Sequence, residues 1–289
     1  AKLLKFLFVD ERSSDHHPFV QNQIRSEENS CDPHHVSRTK LRPYQLKGVS
    51  WMLNLRDLGL HGLLCDDMGL GKTIQTLSVI AARWLERSKS NDVTVSCKAP
   101  SLVLCPGSVV SHWKSEISEH FKDILIPVSC FQITKDIKEF MYNPRAVIIM
   151  SYGLFRNNVD IIKEFFERWY YVVLDEGHVI SNMRSQIFSD VKSLHGQHRL
   201  VLSGTPLQNS AMELFSIFEF LMPGYLGTAE EYRKNILKPI EAVQPRTGGN
   251  LAQNLVSNLQ YEQFVIALEK VHKKILPFLK RRLKVDVLK

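Results

Sequence analysis

Short apolar segments alternate with helix-like stretches between about residues 40 and 222 of this 289-residue chain. The apolar segments are continuous rather than alternately polar, which indicates strands buried on both faces of a sheet. Strands that alternate with helices predict an α/β fold, with a parallel sheet between layers of helices. The predicted strands are 63–65, 101–105, 124–130, 146–150, 171–174 and 199–202. The predicted helices are 74–85, 109–121, 136–142, 160–168 and 185–194, with 230–237 and 260–279 after Pro223.

The composition is that of one large or two modest soluble domains. Hydrophobic residues make up 44% of the chain, and no apolar segment approaches the roughly 20 residues of a membrane helix, so we expect no membrane partner. Five scattered cysteines without a C-x-x-C pair favour reduced thiols in an intracellular protein. Cys31 with His34 and His35 resembles half of a metal site, but no second cluster completes it, which favours a polar loop. Because the first residue is Ala1 rather than methionine, we expect a piece of a longer protein.

The run DDMGLGKT, residues 66–73, lies between a predicted strand and a predicted helix. A glycine-rich turn at this place presents backbone N–H groups to phosphates, and the helix N-terminus adds its positive dipole end. Lys72 would reach the outer phosphates and Thr73 would hold Mg²⁺. The general pattern places glycine at position 66, where this chain has Asp66.

A second run, YYVVLDEGH at 170–178, is apolar and ends in two adjacent acids. In a P-loop enzyme an acid at the tip of a neighbouring strand completes the Mg²⁺ site, and a second acid positions the attacking water. Asp175 fits the first role and Glu176 the second. Alone, the pair would be interpreted as a solvated turn. Together with the glycine-rich run it predicts a site for ATP and Mg²⁺ at the carboxyl edge of the sheet.

Other short stretches have both a functional and an ordinary structural interpretation. Gln45, in LRPYQLKGVSWM, offers a paired donor and acceptor that can bind an adenine edge. Ser203 and Thr205 follow a predicted strand, where they can sense a phosphate or simply form a turn. LVLCPGSVVSHW (102–113) and IIMSYGLF (148–155) place small polar groups at strand ends, which suits phosphodiester contacts that ignore base sequence.

The C-terminal stretch is basic. Eight lysines and arginines and one acid, Asp286, fall between residues 270 and 289, and the net charge of the chain is +7. Such charge permits an anionic partner, and a solvated helix face is the alternative interpretation.

The order of these motifs is more specific than any one of them. The motifs are LRPYQ, DDMGLGKT, LCPGSVVSHW, MSYG, LDEGH, LVLSGTPLQNS and FLKRRLKVDV, from about residue 41 to 288. In this order they resemble the Snf-type branch of the superfamily-two helicase-like ATPases, in which Asp66 is the usual residue and Gly177 replaces the commoner alanine. The resemblance implies a RecA-like ATPase lobe over 39–222 and a helical extension and hinge over 223–289, leading to a second RecA-like lobe. Residues 1–38 are a lead-in without an assigned role.

The resemblance also implies roles for individual residues. Catalysis would involve Lys72, Asp175 and Glu176, with Thr73 and Asp175 holding Mg²⁺. The nucleotide contacts would be Gln45, Asp67, Met68, Gly69, Leu70, Gly71, Lys72, Thr73 and Ile74. Coupling of hydrolysis to DNA would involve His178, Ser203, Gly204 and Thr205. The phosphates of DNA would contact Pro106, Ser108, Ser151, Tyr152, Gln208 and Asn209.

At the level of the whole protein, the resemblance implies a nuclear, ATP-driven translocase on double-stranded DNA. The runs LDEGHVI (174–180) and FLMPGYLGT (220–228) are most similar to the member of the branch that removes TATA-box-binding protein from promoters. A nucleosome-remodelling or DNA-repair translocase is the alternative within the branch, and a non-catalytic module that binds DNA or partners is the alternative outside it. Because the second lobe would supply the arginine finger, we expect this chain alone to bind nucleotide but to hydrolyse it slowly.

Overall fold

Seven strands of the described residues form one sheet, and each of their pairings is parallel. The computed structural model describes residues 40–89, 98–130, 135–204, 211–243 and 258–288. The strand order is β3-β4-β2-β5-β6-β1-β7. The strands are β1 (Gly62–Leu64), β2 (Ser101–Cys105), β3 (Ile126–Cys130), β4 (Ala146–Ser151), β5 (Trp169–Asp175), β6 (Gly196–Leu202) and β7 (Leu279–Lys280).

Eleven α-helices of the described residues connect or extend these strands. They are α1 (Pro43–Asp57), α2 (Lys72–Lys89), α3 (Val110–His120), α4 (Tyr152–Asn157), α5 (Val159–Phe165), α6 (Gln186–Lys192), α7 (Ala211–Leu221), α8 (Ala229–Tyr232), α9 (Lys238–Val243), α10 (Asn258–Ile275) and α11 (Lys284–Val287). Short 3₁₀ turns cover Gly107–Val109, Lys135–Phe140, Gly177–Ile180 and Leu276–Phe278, and a π-helical turn covers Arg233–Leu237. None of these helices is long and apolar enough to cross a membrane.

Burial explains why the central strands lack alternation. Every residue of β2 is buried, and so are all residues of β5 before Asp175. A strand can be buried throughout only if both faces of the sheet are covered. The crossover helices of a parallel sheet provide that cover. The predicted parallel α/β fold is therefore confirmed, and six of the seven strands lie where the apolar runs predicted them.

The differences from the predicted elements include α7, where no helix is predicted, the 3₁₀ turn at Lys135–Phe140 in place of a predicted helix, and the segment after residue 275. The helix predicted over 260–279 ends at Ile275, because Pro277 cannot continue it. Leu279 and Lys280 instead form β7, which pairs with Leu63 and Leu64 of β1. The end of the predicted helical extension thus returns to the sheet, and the domain boundary at residue 222 stays a prediction. Residues 1–38 and the loop predicted over 244–250 lie outside the described residues.

Candidate active site

The carboxyl ends of five strands bring the sequence motifs to one edge of the sheet. The glycine-rich run follows β1, Pro106 follows β2, and Ser203 follows β6. Ser151 ends β4 and Asp175 ends β5. This edge is where ligands bind in open parallel sheets, so the motifs occupy the expected place.

The glycine-rich turn leads directly into α2. Gly69 (φ 82°) and Gly71 (φ 74°) both adopt the left-handed backbone region, which other residues enter only with strain. Lys72 is the first residue of α2, and its ammonium donates to the carbonyl oxygen of Asp66 at 2.8 Å. The lysine therefore lies across the mouth of the turn, beside the helix N-terminus that would receive phosphates.

Gln45 links the start of α1 to this turn. Its amide nitrogen donates to the carbonyl oxygen of Leu70 at 3.3 Å, and its amide oxygen accepts from the backbone N–H of Arg42 at 2.9 Å. The second bond belongs to a capping box that holds the first turn of α1. The glutamine side chain is thus fixed between α1 and the glycine-rich turn.

Asp175 is held by donors on both carboxylate oxygens. The indole N–H of Trp113 donates to Oδ2 at 2.9 Å, and the backbone N–H of Glu176 donates to Oδ1 at 3.0 Å. Burial raises the pKa of Asp175, and the hydrogen bond from Trp113 opposes that rise. The phenol of Tyr152 donates to the backbone carbonyl oxygen of Asp175 at 2.8 Å. Side chains from two helices, Trp113 of α3 and Tyr152 of α4, therefore fix the end of β5 together with the backbone N–H of Glu176.

Glu176 and Lys72 meet at Gly204. A β-carbon placed on Gly204 would lie 3.4 Å from Glu176 Oε1 and 3.4 Å from Lys72 Nζ. His178 Nδ1 lies 3.4 Å from Glu176 Oε2 on the other side of the carboxylate. The backbone N–H of Ser203 donates to the carbonyl oxygen of Leu64, which extends the pairing of β6 with β1 up to this point.

Trp113 has a contact that the sequence did not indicate. Val110, Trp113 and Ile117 form the buried face of α3, and such spacing predicts core packing. The indole is fully buried, yet its one polar atom reaches Asp175. Nothing in the spacing identifies the polar partner, which lies on a strand 62 residues further along the chain.

The residues predicted to contact DNA differ in whether their polar groups are exposed or already hydrogen-bonded within the chain. Ser108 is exposed, and Gly107 lies beside Ser151, since a β-carbon on Gly107 would be 3.8 Å from Ser151 Cβ. The Ser151 hydroxyl accepts from the N–H of Leu154 and caps α4. Tyr152 uses its hydroxyl on Asp175. Thr205, Gln208 and Asn209 lie outside the described residues, so their predicted roles remain predictions.

A family model described as an SNF2-related domain matches residues 44–289, most of the chain. The chain belongs to the SNF2-related family. The predicted Snf-type resemblance is therefore confirmed.

Among curated relatives, this SNF2-related chain is 41% identical over 257 residues to the TATA-binding protein-associated factor mot1 of Schizosaccharomyces pombe. It is also 41% identical over 256 residues to the TATA-binding protein-associated factor BTAF1 of Arabidopsis thaliana. These alignments cover 86% and 87% of the chain but only 12% of each relative, so the chain spans a small part of their length.

Among solved structures, the chain is similar to the Sulfolobus solfataricus SWI2/SNF2 ATPase core in complex with dsDNA. The TM-score is 0.67 at 32% identity, and the match covers 89% of this chain and 47% of that one. The fold is thus that of one part of an SWI2/SNF2 ATPase core.

The residues of this SNF2-related chain fit ATP and Mg²⁺. The left-handed glycines, the N-terminus of the 18-residue helix α2 and Lys72 would form a phosphate cradle. The hydroxyl of Thr73 and the carboxylate of Asp175 are hard oxygen donors of the kind that Mg²⁺ selects. Both residues belong to the carboxyl edge described above.

Proposed function

We propose that this chain is the nucleotide-binding lobe of an ATP-driven translocase on double-stranded DNA. The observation that carries the proposal is that Lys72 Nζ and Glu176 Oε1 both approach Gly204, each 3.4 Å from a β-carbon placed there. A cation for the phosphates and an acid for the attacking water thus face one small residue at the end of β6. Phosphoryl transfer to water uses both groups, a cation on the phosphates and a residue that orients the water.

Each residue of the site has a separate task in this proposal. The amides of the glycine-rich turn and Lys72 bind the phosphates, and Gln45 binds the adenine edge. Thr73 and Asp175 hold Mg²⁺, which neutralises charge that develops on the phosphate oxygens. Glu176 orients the water and accepts its proton. Trp113 holds the carboxylate of Asp175 in one orientation through its 2.9 Å hydrogen bond.

The ends of β2 and β4 are the proposed DNA-binding edge. Gly107, between Pro106 and Ser108, lies beside Ser151 there. The two serines offer backbone N–H groups and hydroxyls, whereas Pro106 has no N–H to donate. Contacts of this type bind phosphates without sequence preference and weaken as salt rises. The similarity to an ATPase core solved with dsDNA supports this assignment. Tyr152 would connect this edge to Asp175 through its hydroxyl.

The cargo that we propose is TATA-box-binding protein, removed from promoter DNA in the nucleus. The support is the 41% identity to two relatives named as TATA-binding protein-associated factors. Because the chain spans only 12% of those relatives, recognition of the cargo would involve regions outside it, and hydrolysis would involve a second RecA-like lobe.

The test joins this chain to its natural second lobe and measures ATP hydrolysis with and without double-stranded DNA. Lys72→Ala should lose nucleotide binding, because the phosphates lose their cation. Glu176→Gln should keep nucleotide binding and lose hydrolysis, since the amide cannot accept the proton. Glu167→Gln, an exposed acid away from the site, is the matched control and should behave as wild type. Equal hydrolysis by wild type and Glu176→Gln would instead support a non-catalytic binding module.

The same proteins, extended by the upstream region, test the cargo. A gel assay should show ATP-dependent release of TATA-box-binding protein from promoter DNA by wild type but not by Glu176→Gln. Movement of nucleosomes without release of TATA-box-binding protein would assign the chain to the remodelling translocases instead.

A further inference from the structure

A buried ion pair joins the glycine-rich turn to a segment more than two hundred residues away. Arg282 Nε donates to Asp66 Oδ1 at 2.9 Å, and Arg282 Nη2 donates to Asp66 Oδ2. Asp66 is completely buried and Arg282 is 8% exposed. This two-point contact is the strong form of an arginine–carboxylate pair. It also explains why aspartate is accommodated where the general phosphate-binding pattern has glycine.

Arg282 reaches the proposed nucleotide site through two further contacts. Its Nη2 donates to Gln75 Oε1 at 2.7 Å, and its Nη1 donates to the carbonyl oxygen of Tyr44. Gln75 in turn donates to the carbonyl oxygen of Gly71 at 3.1 Å. One guanidinium therefore contacts the base of the turn, the first turn of α2 and the start of α1, beside Gln45.

The backbone on both sides of Arg282 is hydrogen-bonded to residues at the start of the glycine-rich turn. The N–H of Cys65 donates to the carbonyl oxygen of Lys280 at 2.7 Å, and the N–H of Asp67 donates to the backbone carbonyl oxygen of Arg282 at 3.1 Å. The N–H of Lys284 donates to Asp67 Oδ2 at 3.0 Å. The segment 279–284 is therefore bound along residues 65–67, directly before the phosphate cradle.

Removing one partner of such a pair leaves an uncompensated buried charge, so the two side chains hold each other in place. The space is also closed. A β-carbon on Gly48 of α1 would lie 2.0 Å from Gln75 Oε1 and 2.8 Å from Arg282 Nη2. α1, α2 and the glycine-rich turn therefore have little room to move independently of one another around Arg282.

We propose that Asp66 and Arg282 are a positioning pair: they fix the glycine-rich turn in its nucleotide-binding conformation and couple nucleotide binding to the docking of segment 279–284. The inference rests on the proposed nucleotide site. Because coupling between two equilibria is reciprocal, a bound nucleotide strengthens the docking of this segment by the same factor by which the docked segment strengthens nucleotide binding.

The first test measures the dissociation constant of the chain for a fluorescent ATP analogue with Mg²⁺. Arg282→Gln and Asp66→Asn should each weaken binding by about 5- to 150-fold, the usual range of a coupling between sites. The double variant should lose less than the product of the two single losses, because each substitution already breaks the shared contact. Arg282→Lys should recover part of the affinity, since lysine keeps the charge but not the two-point geometry.

Arg145→Gln is the matched control for a purely structural effect. Arg145 also donates to backbone carbonyl oxygens, of Ile124 at 2.8 Å and Asp123 at 2.7 Å, away from the site. This variant should lower the thermal midpoint and leave nucleotide affinity unchanged. Unchanged affinity in Arg282→Gln, or additive losses in the double variant, would overturn the pairing. A wild-type chain that binds no nucleotide would overturn the proposed function itself, and the role of the pair with it.

Two further measurements test the coupling even if the charge variants fold poorly. Gly48→Ala should weaken nucleotide binding without changing any charge, because its methyl group displaces Gln75 and Arg282. In the wild-type chain, added ATP analogue with Mg²⁺ should slow hydrogen exchange at the amides of Asp67 and Lys284. These two N–H groups form hydrogen bonds between segment 279–284 and residues 65–67. Unchanged exchange at both amides, with nucleotide bound, would contradict the coupling.

Discussion

Glu176 carries backbone strain at the place where the proposed reaction occurs. Its φ of 56° and ψ of 58° lie in the left-handed region, and among the described residues no other non-glycine residue has a positive φ. Such a conformation costs of order 1–3 kcal/mol and persists only where the surroundings enforce it. The N–H of Glu176 donates to Asp175 Oδ1 within this turn. The strain therefore accompanies the turn that directs the two acids to one site.

Gly177, next in the chain, has no room for a side chain. A β-carbon there would lie 2.2 Å from Val201 Cγ1 of β6. Glycine is therefore the residue that fits between Glu176 and His178 without displacing β6. Any larger residue at position 177 would have to displace Val201.

We expect Gly177→Ala to destabilise the chain, because the methyl group overpacks the contact with Val201, and overpacking costs typically about 1–3 kcal/mol. Urea unfolding should show a lower midpoint. Val201→Ala removes the opposing methyl groups, so the double variant should lose less stability than the sum of the two single losses. Simple additivity would show that the contact with Val201 is not the cause.

At the scale of the elements, the central strands were predictable because they are buried on both faces. β2 lies where the apolar run predicted it, and β5 differs by two residues at its start and one at its end. β7 was missed, because two residues paired through their backbone leave no periodic pattern. The same holds for Arg282 and Asp66, whose pairing depends on folding across 216 residues. Local patterns predicted the turn and the acids, but not the side chains that hold them.

The opposite edge of the sheet contains a half-buried histidine, His61, and a buried one, His198. His61 lies before β1, and its Nδ1 accepts from the backbone N–H of Arg199 at 3.1 Å. Burial, followed by the charge of Arg199, lowers the pKa of His61 to about 4. Burial, followed by the proximity of His61, lowers the pKa of His198 of β6 to about 4. Both imidazoles are therefore neutral in the folded chain near neutral pH.

This gives stability a pH dependence of definite sign. Between pH 6.5 and about 4 the unfolded chain protonates these histidines while the folded chain does not, so the free energy of unfolding falls as pH falls through that window. Each histidine contributes at most roughly 1.4 kcal/mol per pH unit. His61→Gln keeps an acceptor for Arg199 and should reduce the slope of a urea-unfolding series across this window. An unchanged slope would exclude His61 as a contributor.

At the scale of the whole molecule, we propose that the site belongs to one lobe of a two-lobe enzyme. Lys72, Asp175 and Glu176 come from this chain, and we expect the arginine finger to come from the second RecA-like lobe. An arginine finger accelerates such reactions by about 10³–10⁵. Nucleotide binding and rapid hydrolysis should therefore separate when the lobes are separated.

We expect the chain alone to bind ATP but to hydrolyse it about 10³- to 10⁵-fold more slowly than the two-lobe protein, with little stimulation by double-stranded DNA. Steady-state hydrolysis by the chain, with the two-lobe protein as reference, measures the difference. Adding the second lobe as a separate polypeptide at high concentration should restore part of the rate. Strong DNA-stimulated hydrolysis by the chain alone would show that the site needs no partner lobe.

The position of β7 has a consequence for the order in which the protein is made. Synthesis proceeds from the N-terminus, so β1, the glycine-rich turn and both acids leave the ribosome well before Leu279 and Arg282. Until then β1 lacks its neighbour on one side, and Asp66 lacks the guanidinium that neutralises it. The phosphate cradle, although encoded early, is therefore among the last parts of this lobe to be completed. A nascent chain would acquire its full affinity for nucleotide only as segment 279–284 emerges.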